Sequence, residues 1–143
     1  MSGQNKRQAD VNRQVVEDFF RLFLEGDMAG VMACQTDDFV WDIASGAASG
    51  TVPWFFVCQG ADAGNALVEA YVQAADPVVF EVDEYYADGN KVFALGREKV
   101  VSKTTGKTFE TKLFYACTMR EGKIAKLDLA CDTAAAQAAF THD

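Results

Sequence analysis

The chain reads as an α+β domain in which a strongly bent, antiparallel sheet packs against three N-terminal helices. Two observations predict this. The first half carries apolar residues at helical spacing, broken by capping residues, and the second half is a run of β-type segments joined by glycine-containing turns. Helices followed by a meander, without β-α-β alternation, exclude a parallel sheet. A meander this long has one face to cover, and the early helices are the elements available to cover it. Five strands covered on one side only should curl around a space beneath the helices.

The first helix follows from Val11, Val15, Phe19, Leu22 and Phe23, which form one stripe opposite Arg13, Glu17 and Arg21. The polar residues before it, about 1–8, are expected to be a flexible start. Gly26 fits the position just past a helix C-terminus, and Asp27 fits the N-cap of a short second helix with Met28, Val31 and Met32 on its apolar side. Phe39 to Ile43 is a brief strand. Residues 45–60 read as a loop rich in both glycine and large aromatics. Asp62 caps a third helix whose stripe is Ala63, Leu67, Ala70, Tyr71 and Ala74, and Asp76-Pro77 ends it. Four strands follow, Val78–Ala87, Lys91–Ser102, Thr108–Arg120 and Lys123–Cys131. Asp88-Gly89-Asn90, Thr104-Thr105-Gly106-Lys107 and Glu121-Gly122 supply their turns. An alanine-rich helix, Thr133–Phe140, closes the chain.

Composition narrows the function. Half of the 143 residues are hydrophobic and 12% are aromatic, which excludes a disordered chain and permits one domain with a core of its own. The net charge of −8, with a pI near 4.6 and no basic patch, argues against a nucleic-acid partner. No apolar run reaches membrane-spanning length, and the start lacks the apolar core of a secretion signal, so the expected location is cytoplasmic. Cys34, Cys58, Cys117 and Cys131 lie outside any C-x-x-C spacing and read as small buried side chains. With Arg120 facing Lys123 across the last turn, Cys117 should face Lys126 and Cys131 should face Lys112. His142, the one histidine, stands next to the C-terminus, which removes Ser-His and Cys-His schemes and histidine metal sites.

Four features could carry chemistry. Asp42 shares a strand face with Val40 and should point under the helices, as a desolvated base or as a hydrogen-bonded strand-end aspartate. Pro53-Trp54-Phe55-Phe56 reads as a pocket wall or lid, or as closure of the core or of a subunit contact. Arg97 shares a face with Phe93, Leu95 and Val101; it should pair with Asp42, Asp128 or Asp132, bind an anionic group, or stand at an exposed edge. Tyr115, beside Leu113 and Cys117, is a core tyrosine or an oxyanion donor. Phe19, Tyr71 and Asp132 complete the expected substrate wall, although capping of the last helix also explains Asp132.

The sequence also resembles the nuclear transport factor 2-like superfamily, in particular its SnoaL-like and ketosteroid isomerase-like groups. The marks are Phe23-Leu24-Glu25-Gly26-Asp27-Met28, Asp37-Asp38-Phe39-Val40-Trp41-Asp42, Gln59-Gly60, Glu121-Gly122-Lys123-Ile124 and Cys131-Asp132-Thr133-Ala134-Ala135, in that order. The resemblance covers nearly the whole chain, so it implies a single SnoaL-like domain over 1–143 with a cystatin-like roll. It implies a cofactor-independent isomerase, cyclase or dehydratase acting on a small apolar molecule, or a non-catalytic module that binds hydrophobic ligands. A homodimer through the outer sheet face is implied as well, and by strand alternation an inward Asp42 would send Trp41 outward as an apolar contact. Asp42 falls where ketosteroid isomerases keep their base. Phe19 stands where those enzymes carry an oxyanion-holding tyrosine, Arg97 is followed by Lys99 where epoxide hydrolases continue to an aspartate, and Tyr115 lies near a histidine position of the cyclases.

Overall fold

The computed structural model describes residues 3–44 and 50–143; residues 45–49 of the expected loop lie outside the described residues. Helix α1 runs Gly3–Glu25, so the polar start expected to be flexible is helical from Gly3 on. Its buried line is Asn12, Val16, Phe19 and Phe20, whereas Val11 of the expected stripe is 49% exposed. Gly26, at φ +77°, ends the helix in a Schellman turn: its N–H donates to the Phe23 carbonyl and that of Asp27 to the Leu22 carbonyl. The Asp27 carboxylate then caps α2, Met28–Ala33, by accepting from the Gly30 N–H at 2.9 Å.

Strand β1 (Gln35–Ile43) begins earlier than expected, and a short strand, β2 (Val57–Gln59), forms inside the stretch read as loop. Helix α3 is Ala63–Ala74. Asp62 precedes it without a side-chain capping bond; the Ala63 N–H donates to the Gly60 carbonyl instead. The helix passes directly into β3 (Ala75–Asp88), followed by β4 (Lys91–Ser102), β5 (Thr108–Arg120), β6 (Lys123–Ala130) and α4 (Thr133–Ala139). Glu121 and Gly122 both have positive φ, as a two-residue hairpin turn requires.

The six strands form one curved sheet in the order β2-β1-β6-β5-β4-β3. All neighbours are antiparallel except β1 and β6, which are parallel; β2, α3 and the β3-β4-β5 meander lie between them in the chain. Of the register shifts in the sheet, two bear on the site and on the sequence reading. Between β3 and β4 the register shifts at Val82/Glu84, beside Gly96, where a Cβ would stand 2.0 Å from the Glu81 carbonyl oxygen. That close approach permits the bend. Between β5 and β6 a shift at Thr118/Met119 places Cys117 opposite Leu127, not Lys126 as unbroken pairing would have it. Cys131 lies beyond the end of β6, and all four cysteines are free, with Cys117 buried and the others half-buried. The core fills the concave side, where Phe19, Phe39, Ile43, Leu113 and Leu127 are all under 2% exposed. Among the described residues, no helix is long and apolar enough to cross a membrane.

Candidate functional site

Between the concave face and the helices lies a cavity of about 380 Å³. Phe20 and Phe23 reach it from α1, Leu67 and Tyr71 from α3, and Trp54 from the segment before β2. The sheet contributes Trp41, Phe80, Glu98, Tyr115 and Leu129. Among the described residues, Glu98 is the single charged side chain on this wall. A wider, open groove of about 1050 Å³ between the first turns of α1 and two hairpin turns is bordered by exposed Lys6, Asp10, Asp88 and Glu121. Water reaches those charges freely, so the smaller, mainly apolar hollow is the chemically distinctive one.

Glu98 reaches the cavity because β4 turns its small residues inward. Val92, Ala94, Gly96, Glu98, Val100 and Ser102 alternate on the concave face, and the small ones among them leave the space that a bulkier strand would fill. The glutamate is 5% exposed, and desolvation pushes its carboxyl up to about 7, with the neighbouring Tyr71 hydroxyl pulling in the opposite direction. Tyr71 stands close to Glu98, but its hydroxyl makes no hydrogen bond of standard geometry with any described residue. Burial first, and then the charge of Glu98, hold Tyr71 well above the usual phenol range. Tyr115, on β5 one strand away, is raised by the same two causes in the same order. Both phenols therefore remain protonated donors at any physiological pH. Aromatic contacts fix their positions: Trp54 meets Tyr71 edge-on at 4.8 Å, and Phe20 lies 4.7 Å from Tyr115. The arrangement is one carboxyl able to gain or lose a proton near neutrality beside two hydroxyl donors, in a mainly apolar setting.

The structure redistributes the residues expected to form the site. Trp54, Tyr71 and Tyr115 line the cavity. Asp42 does not: Phe39, Trp41 and Ile43 take the buried face of β1, so Asp42 projects from the opposite face, with Lys126 Nζ at 3.8 Å. The same alternation corrects the expectation for Trp41, which is 2% exposed and packs 5.6 Å from Phe19. Arg97 is turned outward with its side chain 60% exposed and pairs with Glu81 at 3.0 Å, not with any of the three aspartates considered. Asp132 caps α4, accepting from the Ala135 N–H at 2.9 Å. Phe19 and Phe55 are core side chains behind the cavity wall, and Phe56 is half-buried off it. Glu98 was missed because the other face of β4 (Phe93, Leu95, Arg97, Lys99, Val101) carries the bulkier apolar residues. A single glutamate in an otherwise small, uncharged alternation was the available signal.

With this geometry in place, comparison with known proteins gives a consistent outcome. The family model described as SnoaL-like domain matches residues 16–127. An NTF2-like protein from Burkholderia xenovorans is 28% identical, with a TM-score of 0.82 over 93% of this chain and 98% of that one. One from Burkholderia thailandensis is 22% identical, with a TM-score of 0.80 over 91% and 97%. TerC, solved after co-crystallisation with polyporic acid, is 19% identical, with a TM-score of 0.79 over 91% and 98%. Among curated proteins, none matches the chain.

Proposed function

The chain belongs to the SnoaL-like family, and on that premise we propose that it takes a small, largely apolar molecule into the cavity and moves a proton on it, with Glu98 as the general base and acid. The observation that carries this reading is the lone buried carboxyl, brought to about 7 by desolvation and set beside two protonated tyrosines. A base poised near the working pH is present in both forms, so it can accept a proton and return it. In this reading the carboxylate removes a proton from a carbon next to a carbonyl. The Tyr71 or Tyr115 hydroxyl donates a hydrogen bond to the oxyanion that develops, and the aromatic walls keep water from competing. Isomerisation, cyclisation and dehydration each use such a step. The co-crystallisation of TerC with polyporic acid adds a precedent for an organic molecule with this fold.

The test uses 5-nitrobenzisoxazole, a planar molecule whose C–H bond is cleaved by desolvated carboxylates. The expected rate rises with pH through a midpoint near 7, falls by roughly 10²-fold or more in Glu98→Gln, and is unchanged in Asp42→Asn. Loss of the rate in Asp42→Asn with retention in Glu98→Gln would overturn the assignment.

A second reading, a module that binds its ligand without turnover, is favoured by the sparse polar equipment of the cavity. Apolar walls and two hydroxyl donors suffice for binding. Equal binding of a naphthol probe by wild type and Glu98→Gln, with no proton-transfer rate in either, would establish it.

We also infer a homodimer through the convex sheet face. Phe93, Phe114 and Tyr86 are 44%, 47% and 58% exposed there, and Tyr86 is the cross-strand partner of Phe93. Adjacent exposed rings of this size favour burial against a second copy. Analytical ultracentrifugation measures it directly.

A further inference from the structure

We propose that the cavity takes its ligand end-on: a neutral molecule whose oxygen-bearing ring lies against Glu98 and whose aliphatic tail leaves between the last turns of α1 and α3 and the start of β3. This rests on the reading of the cavity as a ligand site and names the class of ligand. Among the described residues, the side-chain oxygens on the wall belong to Glu98, Tyr71 and Tyr115, and Glu98 and Tyr115 are each 5% exposed. The polar end is thus the deep end. Leu24, Val72 and Pro77 line the same cavity, yet Leu24 is 55% exposed, Val72 is 48% exposed and Pro77 is exposed as well. These three place the mouth. Glu25 and Asp76, beside Leu24 and Pro77 in the chain, are not on the lining. Single exposed apolar side chains are ordinary, but three at the opening of an apolar hollow mark the path of a ligand.

The walls divide in the same direction. Phe80, the cross-strand partner of Glu98, and Phe20, 4.7 Å from Tyr115, flank the deep end with aromatic rings, as Trp54 does against Tyr71. The mouth carries Leu24, Val68, Val72 and Pro77, which are aliphatic. Flat rings pack against the first group and a flexible chain against the second. Strand register sets the length of the rigid part. Pro77 pairs with Val100, two residues along β4 from Glu98, so two strand rises and one strand spacing separate them, roughly 8 Å. A fused two-ring system spans that distance, and anything attached to its far end meets the mouth. The one charged group on the wall is a carboxyl, with no cation on the lining among the described residues, so an anionic head is repelled once it ionises. The head is therefore neutral, a phenol or a ketone.

Titration calorimetry with 2-naphthol, 6-butyl-2-naphthol and 3-butyl-2-naphthol tests this. A methylene buried in full strengthens binding about fourfold, and one half-covered by a rim about twofold. Wild type should therefore bind the 6-butyl compound roughly tenfold or more tightly than 2-naphthol. The 3-butyl isomer is as apolar but carries its chain beside the hydroxyl, against the closed end, and should bind more weakly than 2-naphthol. Leu24→Gln and Val72→Gln change exposed side chains to another good helix former and should each lower the 6-butyl to 2-naphthol ratio several-fold. Equal gains from the two isomers, or a 6-butyl gain that survives in both variants, overturn the end-on mode while leaving the cavity a binding site. Sedimentation velocity on the same variants supplies the other occupant: a dimer that dissociates while the ratio stays unchanged assigns the mouth to a second copy and overturns the proposal. Failure of wild type to bind any of the three naphthols overturns the cavity reading and the end-on mode with it.

Discussion

Replacing Glu98 with glutamine removes the cavity's carboxyl, whose ionisation burial opposes, and the consequence for stability has a definite sign. Burial lifts the carboxyl from its ordinary 4.5 to about 7, so the folded protein holds this proton about 3 kcal/mol more tightly than the unfolded chain. Between those two values the native state carries more protons than the unfolded one, so stability falls as pH rises. The decline is complete above about 7; below about 4.5 both states are protonated and the side chain contributes no pH dependence. Tyr71 and Tyr115, raised beyond the phenol range, do not titrate in this window. Glutamine keeps the size and shape but has no proton to lose. Its stability relative to wild type should therefore rise by about 3 kcal/mol from acidic to mildly alkaline pH, or on the order of 5–10 °C in Tm for a domain of this length. Any constant penalty for placing an amide there cancels in the comparison across pH. Urea unfolding of both proteins at intervals between about pH 4 and pH 8 measures the difference. Parallel stability curves across that range would refute the reasoning, because they would mean that the carboxyl ionises as freely in the folded protein as in the unfolded chain.

Two further outcomes follow from the fold. Gly96→Ala should lower the unfolding free energy by roughly 1–3 kcal/mol or more, because its Cβ would stand 2.0 Å from a backbone oxygen that cannot move without breaking the β3–β4 pairing; an unchanged free energy would remove Gly96 as the cause of the bend. Phe114→Glu should convert a dimer to a monomer in sedimentation velocity while leaving the far-UV spectrum intact, and a dimer that survives the charge places the contact elsewhere.

Much of the architecture is local and was readable in the chain. The spans of β4 and β5 match their sequence expectation because a glycine turn and a two-residue alternation are set by near neighbours. Gly26, free to take positive φ for want of a side chain, and Asp27, through its capping carboxylate, punctuate the first two helices. β2 escaped notice because three residues carry too little pattern, and its pairing with β1 depends on residues far along the chain. The parallel contact of β1 with β6 is likewise a long-range event.

The site was less readable, for one reason. Alternation divides a strand into two faces, but it does not say which face meets the helices. In β1 the bulky set, Phe39, Trp41 and Ile43, faces inward and displaces Asp42 to the other side. In β4 the small set faces inward, because there the sheet borders a hollow and bulk would fill it. The two strands follow opposite rules, and only the position of each one relative to α1 and α3 decides between them. By itself the sequence determined the order and kind of the elements, because hydrogen bonding along the chain and short-range sterics control those. The tertiary structure alone set Glu98, and not Asp42, on the cavity wall, since the desolvation that moves a carboxyl's proton affinity comes from side chains distant in sequence that close over it.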